Sequence, residues 1–410
     1  MSERSQRFLP YGRQEIDEDD IAAVAAVLRG EWLTTGPAVE AFEAALAART
    51  GAQHAVVCAS ATAGLHLAMM ALGLGPGDCA IVPSSTFLAT ANAARYCGAE
   101  VVFADVDPDT GLLTPESFAA ALAIAKTKGR PRAVLPVHLN GYSVDLLGIR
   151  ALAEREGMQV IEDACHAVGG SQAAGNGVTA PVGACAISDF ACFSLHPAKT
   201  ITMGEGGMTT TNDAAAYKRM SVFRTHGMTR DPGDFQLRDL AFDTDGGTNP
   251  WYYEMPTPGF NYRATDFACA LGSSQLKKLD RFVARRRELG RLYDRLLRPL
   301  APVIRPVPQV THGEAALHLY AILVDFAALG MSRAATMNWL RAEGIGTQVH
   351  YLPVHLQPYY QRRYGRQVLP GAERYYARQL SIPYYPTMSD ADAERVAETL
   401  ARLARRATGG

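Results

Sequence analysis

Along the first half of the chain, short runs of β-branched and apolar residues alternate with segments of helical periodicity. This alternation limits the possible folds more than any other feature. The runs cover residues 54–60, 79–85, 100–106, 132–139, 158–164 and 187–195. Helical patterns fill 62–74, 86–97, 115–125 and 144–156. Several runs are apolar at successive positions, as strands covered on both faces require. Such βαβ logic predicts a mostly parallel sheet with helices on both sides. Residues 208–211 follow the last run closely and are expected to pair antiparallel.

Periodicity disappears over residues 226–259, a stretch rich in Gly, Pro and Asp. A loop of that length in a compact chain is usually functional or mobile. A helical pattern resumes at Thr265 and runs to about Leu296, with RRRE on its exposed side. From about Pro302, a short strand (317–324) and helices (333–343 and 390–403) read as a smaller α+β domain. The expected division is therefore a large α/β domain with the N-terminal segment, 1–264, and a linking helix with a small domain, 265–410.

The 40 Lys and Arg are balanced by 41 Asp and Glu. That balance argues against nucleic-acid binding through bulk positive charge and against a polybasic membrane anchor. With 48% hydrophobic and 20% charged residues the chain can bury a large core. The start, MSERSQRFLPYGRQ, shows no apolar core of a signal peptide. The longest apolar stretch, 55–74, is interrupted by Ser60, Thr62, Gly64 and His66, so it reads as a strand and a helix rather than a membrane span. Seven cysteines without a CxxC pair read as buried thiols of a reducing compartment. A cytoplasmic protein without a metal site is expected.

In an open α/β sheet, ligands bind beyond the carboxyl ends of the strands. Those ends carry Ser60-Ala61-Thr62, Ser84-Ser85-Thr86-Phe87, His138 with Asn140, Glu162-Asp163 with His166, and Ser194-Leu195-His196 followed by Lys199. Their convergence indicates a site more strongly than any single member does. Taken alone, Thr62 reads as a helix N-cap or as part of an anion site. Phe87 reads as core or as a stacking ring. Asp163 reads as a buried acid satisfied by backbone N–H groups or as a functional carboxylate. Lys199 reads as a solvated charge or as a nucleophilic amine in a partly desolvated pocket. An amine, a carboxylate, a flat aromatic and an anion cradle at one sheet edge suit pyridoxal 5'-phosphate. That cofactor needs a lysine for its imine, an acid for its ring nitrogen, donors for its phosphate and a surface for its ring.

Motifs spread over almost the whole chain carry a resemblance. They are LPYGRQEIDEDDIAAV, WLTTGPAVEAFE, SATAGLHLA, PSSTFLATANAA, VIEDACHAVGG, FSLHPAKTITMGEGG, FRTHG, GFNYRATD, HYLPVHLQP and LSIPYYP. In this order the chain resembles the sugar-nucleotide aminotransferases of the DegT/DnrJ/EryC1/StrS family. The resemblance implies the type I pyridoxal-phosphate aminotransferase fold, with pyridoxamine phosphate as the intermediate cofactor form. It implies that Lys199 forms the imine, that Asp163 pairs with the pyridinium nitrogen, and that His166 stands against the phenolic oxygen. It further implies that Phe87 stacks on the ring and that Ala61, Thr62 and Ser194 cradle the phosphate. Asn261 in GFNYR matches an asparagine that reaches the phosphate from the neighbouring subunit, so the resemblance implies a homodimer with shared sites.

PYGRQ, TTGP, FSLHPAKTITMGEGG and PWYYEM narrow the resemblance to the branch serving pseudaminic acid biosynthesis. That branch aminates C4 of a UDP-4-keto-6-deoxy-N-acetylhexose with L-glutamate. MPTPGFNYR and SATAG depart from the expected pattern, and the first leaves other nucleotide-linked keto-sugars open. The dehydratase branch carries His where this chain has Lys199, so the lysine argues for amino transfer. Trp251, Tyr252 and Tyr253 read either as loop packing or as a contact to the nucleotide-sugar. His318, His350 and Tyr351 read as structural residues or as groups approaching the site from the small domain. His196 reads as positioning the lysine loop.

Overall fold

A computed structural model describes residues 7–407. Part of the start read above for a signal peptide therefore lies outside the described residues. In chain order the strands are β1 (His54–Cys58), β2 (Asp78–Pro83), β3 (Glu100–Ala104), β4 (Arg130–Val134), β5 (Gln159–Asp163) and β6 (Ser171–Gly175). They continue as β7 (Val178–Pro181), β8 (Phe190–Ser194), β9 (Gly207–Thr211), β10 (Ile304–Pro306), β11 (Tyr320–Val324) and β12 (Gln379–Ile382). Seven of them form one sheet in the order β1-β9-β8-β5-β4-β2-β3. The pairs β8–β5–β4–β2–β3 are parallel, and β9 runs antiparallel to both of its neighbours. The fold is the α/β architecture that the alternation predicts.

Both faces of the sheet are covered. Along β2, Ala80 and Val82 enter one core while Cys79 and Ile81 enter the other. Period-two alternation thus delivers apolar side chains to both sides, each worth about 1.5–3 kcal/mol when a Val- or Ile-sized group leaves water. Helices Ala61–Ala71, Leu88–Tyr96 and Ala214–Arg224 supply the first core, and Pro115–Lys128 and Leu146–Arg155 the second. A second sheet, β10-β11-β12, is antiparallel and packs with the helices Leu279–Leu297 and Asp390–Ala407.

The helical pattern from Thr265 is two helices, Asp266–Leu276 and Leu279–Leu297. At the break the Lys278 ammonium is held by Asp17 and Asp20 of the N-terminal segment. The first helix packs on Glu18–Leu28 and Pro37–Thr50, the second on the small sheet's helix. Buried positions keep a three- or four-residue spacing across the break, from Gln275 to Leu279, Phe282 and Val283, which is why the sequence does not reveal it. The aperiodic stretch 226–259 holds a 3-10 turn, Pro232–Asp234, and a short helix, Arg238–Ala241. It is pinned by bridges Thr229–Glu254 and Phe242–Thr248. The buried Glu254 carboxylate accepts the Gln236 and Leu237 N–H groups, a local order that hydrophobic periodicity does not report.

Candidate active site

The carboxyl ends of β1, β5 and β8 open onto a cavity of about 390 Å³. Ala61, Thr62, Phe87, Asp163, His166, Ser194 and Lys199 all line it. Asn261 does not: it is exposed and pairs across a bridge with Thr225. Ser84, Ser85, His138 and Asn140 are also buried beside the cavity without lining it. The sheet edge therefore gathers most of the polar strand ends, and each strand turns only some of them into the opening.

The anion cradle is the start of the helix Ala61–Ala71. Ser60, not Thr62, is its N-cap, accepting the Ala63 N–H at 3.2 Å. Ala61 and Thr62 therefore occupy the first helical turn, where N–H groups lack helical acceptors and the positive dipole end favours an anion. The neighbouring β9 begins at Gly207, where an added Cβ would stand 2.3 Å from the Ala61 nitrogen. Only glycine lets the strand approach the helix start this closely. Opposite Gly207 in the ladder stands Ser194. Its oxygen accepts the His196 N–H at 3.4 Å, so its own hydrogen is left to donate.

Asp163 ends β5. One carboxylate oxygen accepts the Thr90 hydroxyl at 2.7 Å and the other the Cys165 N–H at 3.2 Å. A carboxylate has about four acceptor positions, so the residue keeps capacity for a further N–H. Thr90 in turn shares a 2.7 Å hydrogen bond with Thr86. Thr86 belongs to the strand end read from the sequence, and Thr90 does not. Their spacing of four at the start of the helix Leu88–Tyr96 is the signal that was available.

Lys199 sits in the β8–β9 connection, which carries no helix, and its N–H donates to the His196 carbonyl at 2.8 Å. Among the described residues none hydrogen-bonds its side-chain amine. Burial lowers the amine's pKa, opposed by the nearby Cys165 and Asp163. Phe87 is 55% exposed at the rim, its ring 5.7 Å from that of Tyr351. A ring left in water beside a lysine and a carboxylate offers a face for a flat ligand. The phosphate donors, the spare acceptor of Asp163, the unpaired amine and the open ring together fit pyridoxal phosphate.

His166 lines the cavity with both ring nitrogens held by the chain. Its Nδ1 accepts the Asn140 N–H at 3.3 Å and its Nε2 lies 3.0 Å from the Tyr351 hydroxyl. Both ring nitrogens are partnered within the chain. Burial, then the charge of Lys199, hold the imidazole well below its usual pKa, so it is neutral with its proton on Nε2. Tyr11, His318, His350 and Tyr351 complete the cavity lining. Trp251 and Tyr253 are exposed away from the cavity, and Tyr252 hydrogen-bonds Glu254 at 2.9 Å.

The model of the DegT/DnrJ/EryC1/StrS aminotransferase family matches residues 14–401. The chain belongs to that family. Among its relatives, the spore coat polysaccharide biosynthesis protein SpsC of Bacillus subtilis is 38% identical over 403 residues, 98% of each chain. The structure of Helicobacter pylori PseC, an aminotransferase involved in the biosynthesis of pseudaminic acid, superposes with a TM-score of 0.85 at 26% identity, covering 98% of this chain and 100% of that one. Spr1654 of Streptococcus pneumoniae, assigned as a sugar aminotransferase and solved in its pyridoxal-phosphate form, gives 0.84 at 26% identity over 98% and 99%. The protein is a pyridoxal-phosphate-dependent aminotransferase of type I fold.

Proposed function

We propose that this aminotransferase moves the amino group of L-glutamate to C4 of a UDP-4-keto-6-deoxy-N-acetylhexose, as in pseudaminic acid biosynthesis, working as a cytoplasmic homodimer with shared sites. The observation that supports amino transfer most is the placement of Lys199, Asp163 and the helix-start cradle around one cavity. Lysine at 199 also argues against the dehydratase reading. The likeness to PseC supports the sugar. A second reading, transfer to another nucleotide-linked keto-sugar, is favoured by the higher identity to SpsC. Among the described residues no helix is long and apolar enough to cross a membrane.

Bound pyridoxal phosphate supplies an aldehyde that captures amines and a ring that draws negative charge from the attached carbon. The residues of the chain bind, orient and move protons around that chemistry. Ala61, Thr62 and Ser194 hold the phosphate, joined by Asn261 from the second copy. Asp163, oriented by Thr90 and the Cys165 N–H, accepts the ring N–H. Phe87 supports the ring face, and His166 stands beside the phenolic oxygen. Lys199, whose burial favours the free amine, removes a proton at the Cα of the amino donor and returns one at the sugar carbon in the second half reaction. Glutamate leaves as 2-oxoglutarate, and the keto-sugar leaves carrying the amine. The same reading takes 1–264 as the cofactor-binding domain and 265–410 as linking helix and small domain.

Product analysis by NMR, with L-glutamate and a panel of nucleotide-linked 4-keto-sugars, tests the proposal. A C4 amino-sugar from the UDP-N-acetylhexose substrate is expected. Turnover of another keto-sugar instead would favour the second reading, and a dehydrated sugar would overturn both.

A further inference from the structure

Two uncharged hydrogen-bond donors are set in advance on the cavity wall, and the hydrogen bonds behind them fix which atom carries each proton. Behind His350, the Gln379 Oε1 accepts the His350 backbone N–H at 2.9 Å, so the amide nitrogen of Gln379 is the end that faces Ser381. That nitrogen donates to the Ser381 hydroxyl oxygen at 2.8 Å. Ser381 then gives its own hydrogen to His350 Nδ1 at 2.9 Å, which leaves the imidazole proton on Nε2. Gln379 and Ser381 are fully buried, and among the described residues nothing accepts from His350 Nε2.

A second relay runs beside it. His166 Nδ1 takes the Asn140 N–H, so His166 Nε2–H donates to the Tyr351 oxygen. The Tyr351 hydroxyl hydrogen is therefore unspent, since no described residue accepts it. Burial, followed by the Asp163 carboxylate, pushes that phenol above its ordinary pKa, so it keeps its hydrogen. The rings of His350 and Tyr351 meet edge to face, with centroids 4.9 Å apart, and Tyr11 packs against His350 at 5.4 Å. Both side chains line the cavity, and among its described lining residues none is an arginine.

We propose that Tyr351 Oη–H and His350 Nε2–H form one oxygen-binding subsite that receives the α-carboxylate of the amino donor in the first half reaction and ring oxygens of the sugar in the second. This rests on the aminotransferase reading above and deepens it. A two-stroke transferase must place an anionic amino acid and an uncharged sugar ring at the same reacting carbon in turn. A buried guanidinium would suit the first and be left unpaired against the second, at a large desolvation cost. Neutral donors hydrogen-bond a carboxylate and still satisfy a hydroxyl or ether oxygen, so one wall serves both substrates. The relays hold the donors in register without placing a fixed charge in the cavity.

The test uses the cofactor-loaded enzyme and glutarate, a five-carbon dicarboxylate with no amino group to react. Its Kd is read by calorimetry, after the visible absorbance of the lysine-bound cofactor has been recorded. Tyr351→Phe is expected to weaken glutarate about tenfold or more, as loss of a hydrogen bond to a charged group does, and to raise the sugar KM alongside it. His350→Leu gives an independent answer and the same expectation, should the first variant fold poorly. Unchanged glutarate binding in a folded, loaded variant overturns the subsite. So does weakening by Arg263→Ala in place of the Tyr351 variant, because the guanidinium of Arg263, which follows Asn261 by two residues and lines no part of this cavity, would then hold the carboxylate. A change confined to the cofactor absorbance also overturns it, assigning Tyr351 to the cofactor alone. Wild-type protein that shows no lysine-bound absorbance would instead break the parent reading.

Discussion

Glu162 and Asp163 are neighbours on β5, and period-two alternation sends them to opposite faces of the sheet. Asp163 faces the cavity, held by one hydroxyl and one backbone N–H and with capacity for another donor. Glu162 is completely buried and satisfied: the Ser188 hydroxyl donates to one oxygen and His138 Nε2 lies 2.8 Å from the other. His138 Nδ1 accepts the Val144 N–H, so the imidazole proton is on Nε2 and points at the glutamate. His138 N–H also donates to the Asp163 carbonyl, and Asp163 N–H to the Pro136 carbonyl. One carboxylate is kept available for chemistry, and the adjacent one ties down the strand that carries it.

That contrast can be broken by substitution. Lys199→Ala, on the functional side, is expected to remove transamination, with about 10²–10⁴-fold assignable to proton transfer alone, and to abolish the absorbance of the lysine-bound cofactor. Retained turnover would end the assignment. Asp163→Asn is next, with a loss of about 10²–10³-fold in kcat and a normal melting curve. On the other face the order reverses. Glu162→Ala should cost about 1–3 kcal/mol of stability for each buried donor it leaves unpaired, the His138 Nε2–H and the Ser188 hydroxyl, while the protein that remains folded still binds cofactor. Denaturant melts with cofactor absorbance separate the two. If Glu162→Ala were stable but inactive, the division of labour would be wrong.

Much of this was legible in the sequence, and the reasons differ by residue. Lys199, Asp163 and Ser194 could be placed because βαβ alternation fixes which strand ends share an edge. Thr90 was not, because its role depends on a hydroxyl crossing from the second strand's helix to the fifth strand. His138 and Asn140 were assigned to the edge correctly but not to its inner side, since the chain turns after β4 through a 3-10 turn that no periodicity announces. Ser60 takes the cap that Thr62 was given as one option, because small polar residues on either side of Ala61 leave the helix start ambiguous by sequence. The wall from His318, His350 and Tyr351 depends on how residues 318–351 pack against the large sheet's edge, which is a long-range matter.

A smaller effect concerns acid. His166, His318 and His350 are buried and neutral, all with pKa values lowered mainly by burial, His350 to about 3 from the ordinary 6.5. Below 6.5 the unfolded chain binds these protons and the folded one does not, so stability is full above that pH and falls as pH drops towards 3. Each histidine contributes a slope of about 1.4 kcal/mol per pH unit at most. Melting at pH 7, 6 and 5 should show the decline, and His350→Leu should make it shallower. Phe87→Ala is expected to have the smallest effect: weaker cofactor retention on dialysis, by about 0.5–1.5 kcal/mol, with little change in melting because its ring is already in water.

The central claim is that the Lys199 amine is the group that captures the cofactor. Loading the purified protein with pyridoxal phosphate, reducing with borohydride and mapping the digested peptides by mass spectrometry tests it directly. The account predicts a phosphopyridoxyl group fixed on Lys199 in the FSLHPAKTITMGEGG peptide, and none in Lys199→Ala. A stoichiometric adduct on another lysine, with Lys199 unmodified, would contradict it.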